Sequence, residues 1–196
     1  YTTLFRSTFS TAISTTTTIP KPTVKSSQSA SSATFSWTLL DGVTGYQIYK
    51  AVGTSSYKFL VTRTGRSYKD SDLIPGETYS YRVRAYVKVG NTIYYGAFSP
   101  VIKITPTIST VANLKATKSS DGLNLTWSAI SGITNYQIFR SEDNKTYTKI
   151  ATLSNNNYVD TNVEKNKTYY YKVRAYVKLD KLYYGKYSLV TKVIYS

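Results

Sequence analysis

The reactive inventory of this sequence is made of rings and cations. Twenty-one tyrosines and 25 lysines and arginines stand among 196 residues, against ten carboxylates and no histidine or cysteine. In the stretch TYSYRVRAYVK, Thr78 to Lys88, the residues Arg82, Arg84, Tyr86 and Lys88 fall at every second position, so an extended strand displays them on one face. The stretch TYYYKVRAYVK, Thr168 to Lys178, repeats the arrangement with Lys172, Arg174, Tyr176 and Lys178. Neighbouring strands are expected to add Tyr49 and Lys103 to the first face, and Phe139 and Lys192 to the second. Interleaved basic and aromatic groups stack sugars and contact anionic polymers, and nucleobase stacking is physically open to them as well. The competing account is internal, because cross-strand Arg and Tyr pairs stabilise a sheet by about 0.2–1 kcal/mol each.

Catalysis finds little to use. Without histidine or cysteine there is no Ser-His-Asp or Cys-His arrangement, and the usual imidazole and thiolate ligands of zinc or copper are missing. Glycosidase chemistry needs two carboxyls flanking one cleft, whereas Asp41, Asp70, Asp72 and Glu77 read as turn and loop acids. The Ser55-Ser56-Tyr57-Lys58 match to S-x-x-K lies in an expected hairpin and not at a helix start. Asp70-Ser71-Asp72 and Glu142-Asp143-Asn144 are the densest acidic groups, and neither has calcium-loop spacing. Asn124, Asn144 and Asn166 open Asn-x-Thr sequons, which fit ordinary turn and strand composition equally well. No enzyme, metal or cofactor is expected.

The elements that must position the basic and aromatic face are strands. Tyr, Thr, Val and Ile abound, and no window places apolar residues at helical spacing. No apolar run approaches the roughly 20 residues that span a bilayer as a helix. The formal net charge is +15. Residues 17–106 hold 11 basic and 4 acidic groups and residues 107–196 hold 13 and 6, which is +7 for each half, with Arg6 outside both. The sign suits an anionic partner, whether nucleic acid, an acidic glycan, a wall polymer or a lipid headgroup surface, and the even spread weakens the nucleic-acid reading. The charge also keeps a Tyr-rich sheet protein soluble and its edges apart. The chain starts at Tyr1 and contains no methionine, which points to a processed product or a piece of a longer polypeptide.

An offset of 90 residues superposes the sequence on itself. Trp37 meets Trp127, and Tyr46-Gln47-Ile48-Tyr49-Lys50 meets Tyr136-Gln137-Ile138-Phe139-Arg140. After a one-residue deletion YYGAFS, Tyr94 to Ser99, meets YYGKYS, Tyr183 to Ser188. A period of this length is a whole domain and not a solenoid unit. Within a copy, Phe35 and Trp37, Tyr46 and Ile48, and Tyr79, Tyr81, Val83 and Ala85 alternate with polar residues, the pattern of strands with one buried face. Turn signals such as Asp41-Gly42 and Pro75-Gly76 separate about seven short strands per copy.

The run from Leu73 to Ala85, LIPGETYSYRVRA, resembles the fibronectin type III motif that joins strands E and F, and Trp37 and Trp127 stand where that family keeps its strand-B core tryptophan. The resemblance covers residues 17–196. It implies an all-β fold of two tandem fibronectin type III, immunoglobulin-like β-sandwiches, with Tyr79 and Tyr169 as tyrosine corners whose hydroxyls bond backbone a few residues upstream. Val163-Glu164-Lys165-Asn166-Lys167 departs from the motif in the second copy. The Tyr/Lys/Thr-rich, cysteine-free style is similar to domains of bacterial secreted and cell-surface proteins. The boundary, Ile104 to Thr110 around Pro106, reads as a short, stiff, extended junction.

Residues 1–16, YTTLFRSTFSTAISTT, have no counterpart ahead of the second copy. Composition allows a disordered stalk. Alternatively, Phe5, Phe9 and Ile13 share one face of an extended strand, which suits addition to a sheet edge of its own domain or of another subunit. Passed head-to-tail between copies, such a strand builds a filament. The expected domains are therefore an N-terminal strand (1–16) and two sandwiches (17–106 and 107–196). The expected role is an extracellular structural or assembly protein, with adhesion or wall-polymer binding as the alternative. The expected partners are copies of itself, other surface proteins or an anionic polymer.

Overall fold

The computed structural model describes residues 18–196. The first copy contains β1 (Val24–Gln28), β2 (Ala33–Trp37), β3 (Gly45–Val52), β4 (Lys58–Arg63), β5 (Ser67–Asp70), β6 (Tyr79–Val89), β7 (Thr92–Tyr95) and β8 (Ile102–Ile104). The second contains β9 (Lys115–Ser119), β10 (Gly122–Thr126), β11 (Asn135–Ser141), β12 (Thr148–Leu153), β13 (Asn157–Asp160), β14 (Lys167–Lys178), β15 (Leu182–Tyr184) and β16 (Thr191–Tyr195). The described residues form no helix. Each copy packs a three-stranded sheet, β1-β2-β5 or β9-β10-β13, against a five-stranded one, β4-β3-β6-β7 with β8 also on β6, or its counterpart around β14.

Period-two burial makes the two cores. Ala33, Phe35 and Trp37 point inward from β2 while Thr34 and Ser36 are exposed, and Tyr79, Tyr81, Val83 and Ala85 do the same on β6. Rings meet across the sandwich, Phe35 on Tyr81 at 4.4 Å and Trp37 on Tyr46 at 5.4 Å between centroids. Trp127 meets Tyr136 at 5.5 Å in the second core.

Among the described residues each copy has eight strands where about seven were expected, because the last strand position is filled in two pieces. β7 pairs with the far half of β6, Tyr95 opposite Tyr86, and β8 with the near half, Ile104 opposite Tyr79. Between them the Ser99 side chain replaces the ladder: Val83 N–H donates to Ser99 Oγ (3.1 Å) while Ser99 N–H donates to the Val83 carbonyl (2.7 Å). Ser188 and Val173 repeat this at 3.0 and 2.8 Å. Gly96 is needed at the break, since a Cβ there would come within 2.8 Å of Ile19 Cγ2, and Gly185 meets Ile108 Cγ2 at the same distance.

The turn that departs from the family pattern keeps its backbone. Gly76 has φ of +89° and Asn166, ninety residues on, has φ of +65°. Asn is the residue after Gly that tolerates this left-handed region best. At the junction, Ala30 of the first copy is 4% exposed and belongs to the second copy's core cluster.

Candidate functional site

β6 and β14 carry the basic residues, and register decides what faces them. On the first sheet Tyr49 lies opposite Arg82 and Gln47 opposite Arg84; on the second Phe139 lies opposite Lys172 and Gln137 opposite Arg174. Each cation is clasped by rings. The Arg82 guanidinium lies 4.2 Å from the Tyr57 ring centre and 4.0 Å from Phe98. Arg84 lies 3.8 Å from Tyr95 and 4.9 Å from Phe98. The result is an alternating ladder, Tyr57, Arg82, Phe98, Arg84, Tyr95. The second copy builds the same ladder with Lys172 Nζ 3.8 Å from Tyr147 and 4.3 Å from Tyr187, and Arg174 3.8 Å from Tyr184 and 5.1 Å from Tyr187.

Hydrogen bonds lock two of the four cations. Arg84 donates through Nε and Nη2 to Gln47 Oε1 (3.1 and 2.9 Å), and Nη2 also donates to Tyr49 Oη (2.8 Å). Arg174 donates to Gln137 Oε1 at 3.0 and 2.8 Å. Arg82 and Lys172 are held by ring faces, and Arg82 Nε is buried with no hydrogen-bond partner among the described residues. The ion pairs in the described residues engage Lys50, Arg140 and Lys167, so none of the four ladder cations is neutralised by a carboxylate.

The remaining face residues flank the ladders. Tyr86 covers Gly45, where a Cβ would meet its ring carbon Cε1 at 3.1 Å, and Tyr176 faces Tyr184 at 6.0 Å. Lys88 and Lys178 are exposed at the strand ends. Lys103 lies opposite Ser80, and Lys192 opposite Tyr170. The rings that complete the ladders, Tyr57, Tyr95 and Phe98 with Tyr147, Tyr184 and Tyr187, do not follow from strand alternation. Their signal is the repeat itself, which keeps an aromatic at each position in both copies.

Trp37 and Trp127 are each 4% exposed, with both indole nitrogens lacking a hydrogen-bond partner among the described residues. Ile74 N–H donates to Tyr79 Oη and Glu164 N–H to Tyr169 Oη, both at 2.9 Å and both five residues upstream.

A second cluster corrects the reading of one acid. Asp70, taken from the sequence as a loop residue, ends β5 and is buried. Tyr81 Oη donates to its Oδ2 (2.7 Å) and Lys50 Nζ lies 2.8 Å from the same oxygen. Asp160 repeats the role with Tyr171 (2.8 Å) and Arg140 (3.0 Å). Burial first, then the bond to the carboxylate, pushes the Tyr81 and Tyr171 hydroxyls far above the ordinary phenol value. Burial lowers the Arg140 guanidinium, but the neighbouring Asp160 more than offsets it, so its net shift is upward. In the Glu142-Asp143-Asn144 turn, the backbone N–H groups of Thr146 and Lys145 and then the Ser141 hydroxyl hold Asp143 well below the usual carboxylate range. That carboxylate organises a turn. Among the described residues no group of three or more acidic, Cys or His side chains could hold a metal. Phe5, Phe9 and Ile13 lie outside the described residues.

Residues 18–102 match the family profile of the fibronectin type III domain. No curated protein sequence matches the chain. Among solved structures it is similar to a two-domain fibronectin type III segment of chicken tenascin, at 10% identity and a TM-score of 0.45, covering 89% of this chain and 99% of that one. The second copy repeats the strand order of the matched region. The fold is thus two tandem fibronectin type III-like β-sandwiches, a class of domain that is commonly a non-catalytic adhesion or binding module and typically extracellular. No helix of the described residues is long and apolar enough to cross a membrane.

Proposed function

We propose that the chain is a non-catalytic binding module of a bacterial secreted or cell-surface protein, and that its two cation–ring ladders grip an anionic surface polymer. One observation carries this reading: Arg82, Arg84, Lys172 and Arg174 are immobilised between rings, yet among the described residues no carboxylate neutralises them. A cation held by ring faces keeps its full charge and has already lost its rotamer freedom, so ion pairing with a sulfate, phosphate or carboxylate costs little further ordering. The test is retention on immobilised dextran sulfate and polyphosphate under a salt gradient. Arg82→Met and Lys172→Met leave an apolar stem between the rings and remove the charge. Together they should elute the protein at clearly lower salt with unchanged near-UV circular dichroism. Unchanged elution would leave the ladders with a structural role only.

A second reading is an extracellular filament or surface-appendage subunit joined by N-terminal strand addition. Its support is the spacing of Phe5, Phe9 and Ile13. It is further supported by the outer edge of β1, which pairs only with β2 among the described residues and so leaves a row of backbone groups for an incoming strand. Deleting residues 1–16 should abolish polymers seen by electron microscopy, and undiminished polymers would reject it.

A further inference from the structure

The internal duplication gives each sandwich the same upper pole, and the two poles are in different states. In the second copy the pole comprises the loop between β10 and β11, with Ile130 and Ile133, and the hairpin from β14 to β15, with Leu179 and Tyr183. This pole is occupied. Ala30, in the turn between β1 and β2, is 4% exposed and sits in the core cluster with Ile133, itself 7% exposed, against which Ile130 packs. A Cβ at Gly132 would touch the Ser29 side chain at 3.4 Å. A concavity lined by Gln28, Ser29 and Ala30 together with Ile130 and Ser131 runs along the same seam.

In the first copy the counterparts are Leu40, Val43 and Gly42, with Val89 and Tyr94 on the hairpin. The loop has the same construction. Leu40 N–H donates to Tyr46 Oη at 2.8 Å, as Ile130 N–H donates to Tyr136 Oη at 3.0 Å, and Gly42 and Gly132 have φ of +72° and +76°. Hairpin and loop are joined, Lys88 N–H donating to Thr44 Oγ1 at 2.8 Å. The difference is cover. A Cβ at Gly42 meets nothing within 4 Å among the described residues. Val43 is half-buried where Ile133 is buried, Val89 is 62% exposed where Leu179 is half-buried, and Tyr94 is 55% exposed where Tyr183 is half-buried. Leu39 beside them is 63% exposed.

We infer that the pole formed by Leu40, Gly42, Val43, Val89 and Tyr94 is a docking face for the β1–β2 turn of another sandwich of this type, one presenting a small residue where Ala30 stands. The occupant is read from this chain, which seats such a turn on the equivalent pole ninety residues downstream. A small side chain is required because Ala30 is buried within the second copy's core cluster, and a longer one would be driven into the packed loop. The inference does not depend on the polymer-binding reading, which concerns the ladder faces.

The chain contains no cysteine, so a single introduced thiol reports local cover without interference. Ile133→Cys in the full chain should react slowly with a thiol reagent, and adding Ala30→Glu should speed it at least about tenfold by opening the occupied pole. Val43→Cys should react fast in the full chain. In an extended protein with residues 18–107 fused ahead of Ile19, the same thiol should react at least about tenfold more slowly, and Ala30→Glu in the added sandwich should restore the fast rate. Near-UV circular dichroism that grows with the added sandwich establishes that it has folded. Three results would overturn the inference: a fast Val43→Cys rate in the folded extended protein, a slow rate in the full chain that deletion of residues 1–17 relieves, or protection in the full chain that depends on protein concentration. The second assigns the pole to the chain's own N-terminal segment, and the third to a second copy.

Discussion

At the scale of single residues, the buried carboxylates matter most to stability. Asp160 is 1% exposed and accepts from Tyr171 and Arg140, so removing it strands a buried hydroxyl and a partly buried guanidinium together. Asp160→Ala should cost about 3 kcal/mol in urea unfolding, whereas an exposed acid such as Asp121 should cost under about 0.5 kcal/mol. The phenols bonded to these acids give the fold an alkaline limit. Their folded pKa values are raised above the unfolded value of 10.0, chiefly by burial. Their contribution is therefore complete below about pH 10 and is lost as pH climbs above it, because only the unfolded chain can ionise them there. The urea midpoint should therefore fall as pH rises from about 10 to about 11, where the unfolded phenols ionise. A Tyr81→Phe, Tyr171→Phe double variant should show a shallower fall, and an equal slope would contradict the assignment. In the sequence Asp70 reads as a loop acid, because whether it dips into the core depends on how the two sheets close over it.

At the scale of elements, alternation on β2, β6 and their counterparts was readable because one buried face imposes period two. The broken last strand was not. Its interruption arises from contacts remote in sequence, Ile19 against Gly96 and Ser99 against Val83, which no local pattern encodes. Ser99→Ala should leave the Val83 N–H without its side-chain acceptor inside the sheet. The expected loss is about 1–3 kcal/mol, with faster amide exchange at Val83 as its local signature. Ser188→Ala should reproduce both effects in the second sandwich, centred on Val173.

At the scale of the molecule, the proposed polymer binding would be bivalent, since each sandwich carries one ladder. Once one ladder is engaged, the second meets the same polymer at a high effective concentration. Losing either ladder alone should therefore reduce retention on long polyphosphate far more than on a fragment too short to reach both. Equal losses on long and short polymers would mean that the two faces act separately. The evenly divided charge, +7 on each half, fits this arrangement better than a single basic tail would.

The duplication, the all-β class, the strand faces and the lack of histidine and cysteine chemistry follow from the sequence by itself. Residue type and period two are local properties, and a 90-residue repeat is visible without any fold. Which rings clasp which cations, which carboxylates are buried, and which pole is covered were decided only in three dimensions. Tyr57, Arg82 and Phe98 come from separate parts of the chain, and Ala30 lies a hundred residues from Ile130. Their meeting is a consequence of strand register and sheet closure, which no window of sequence contains.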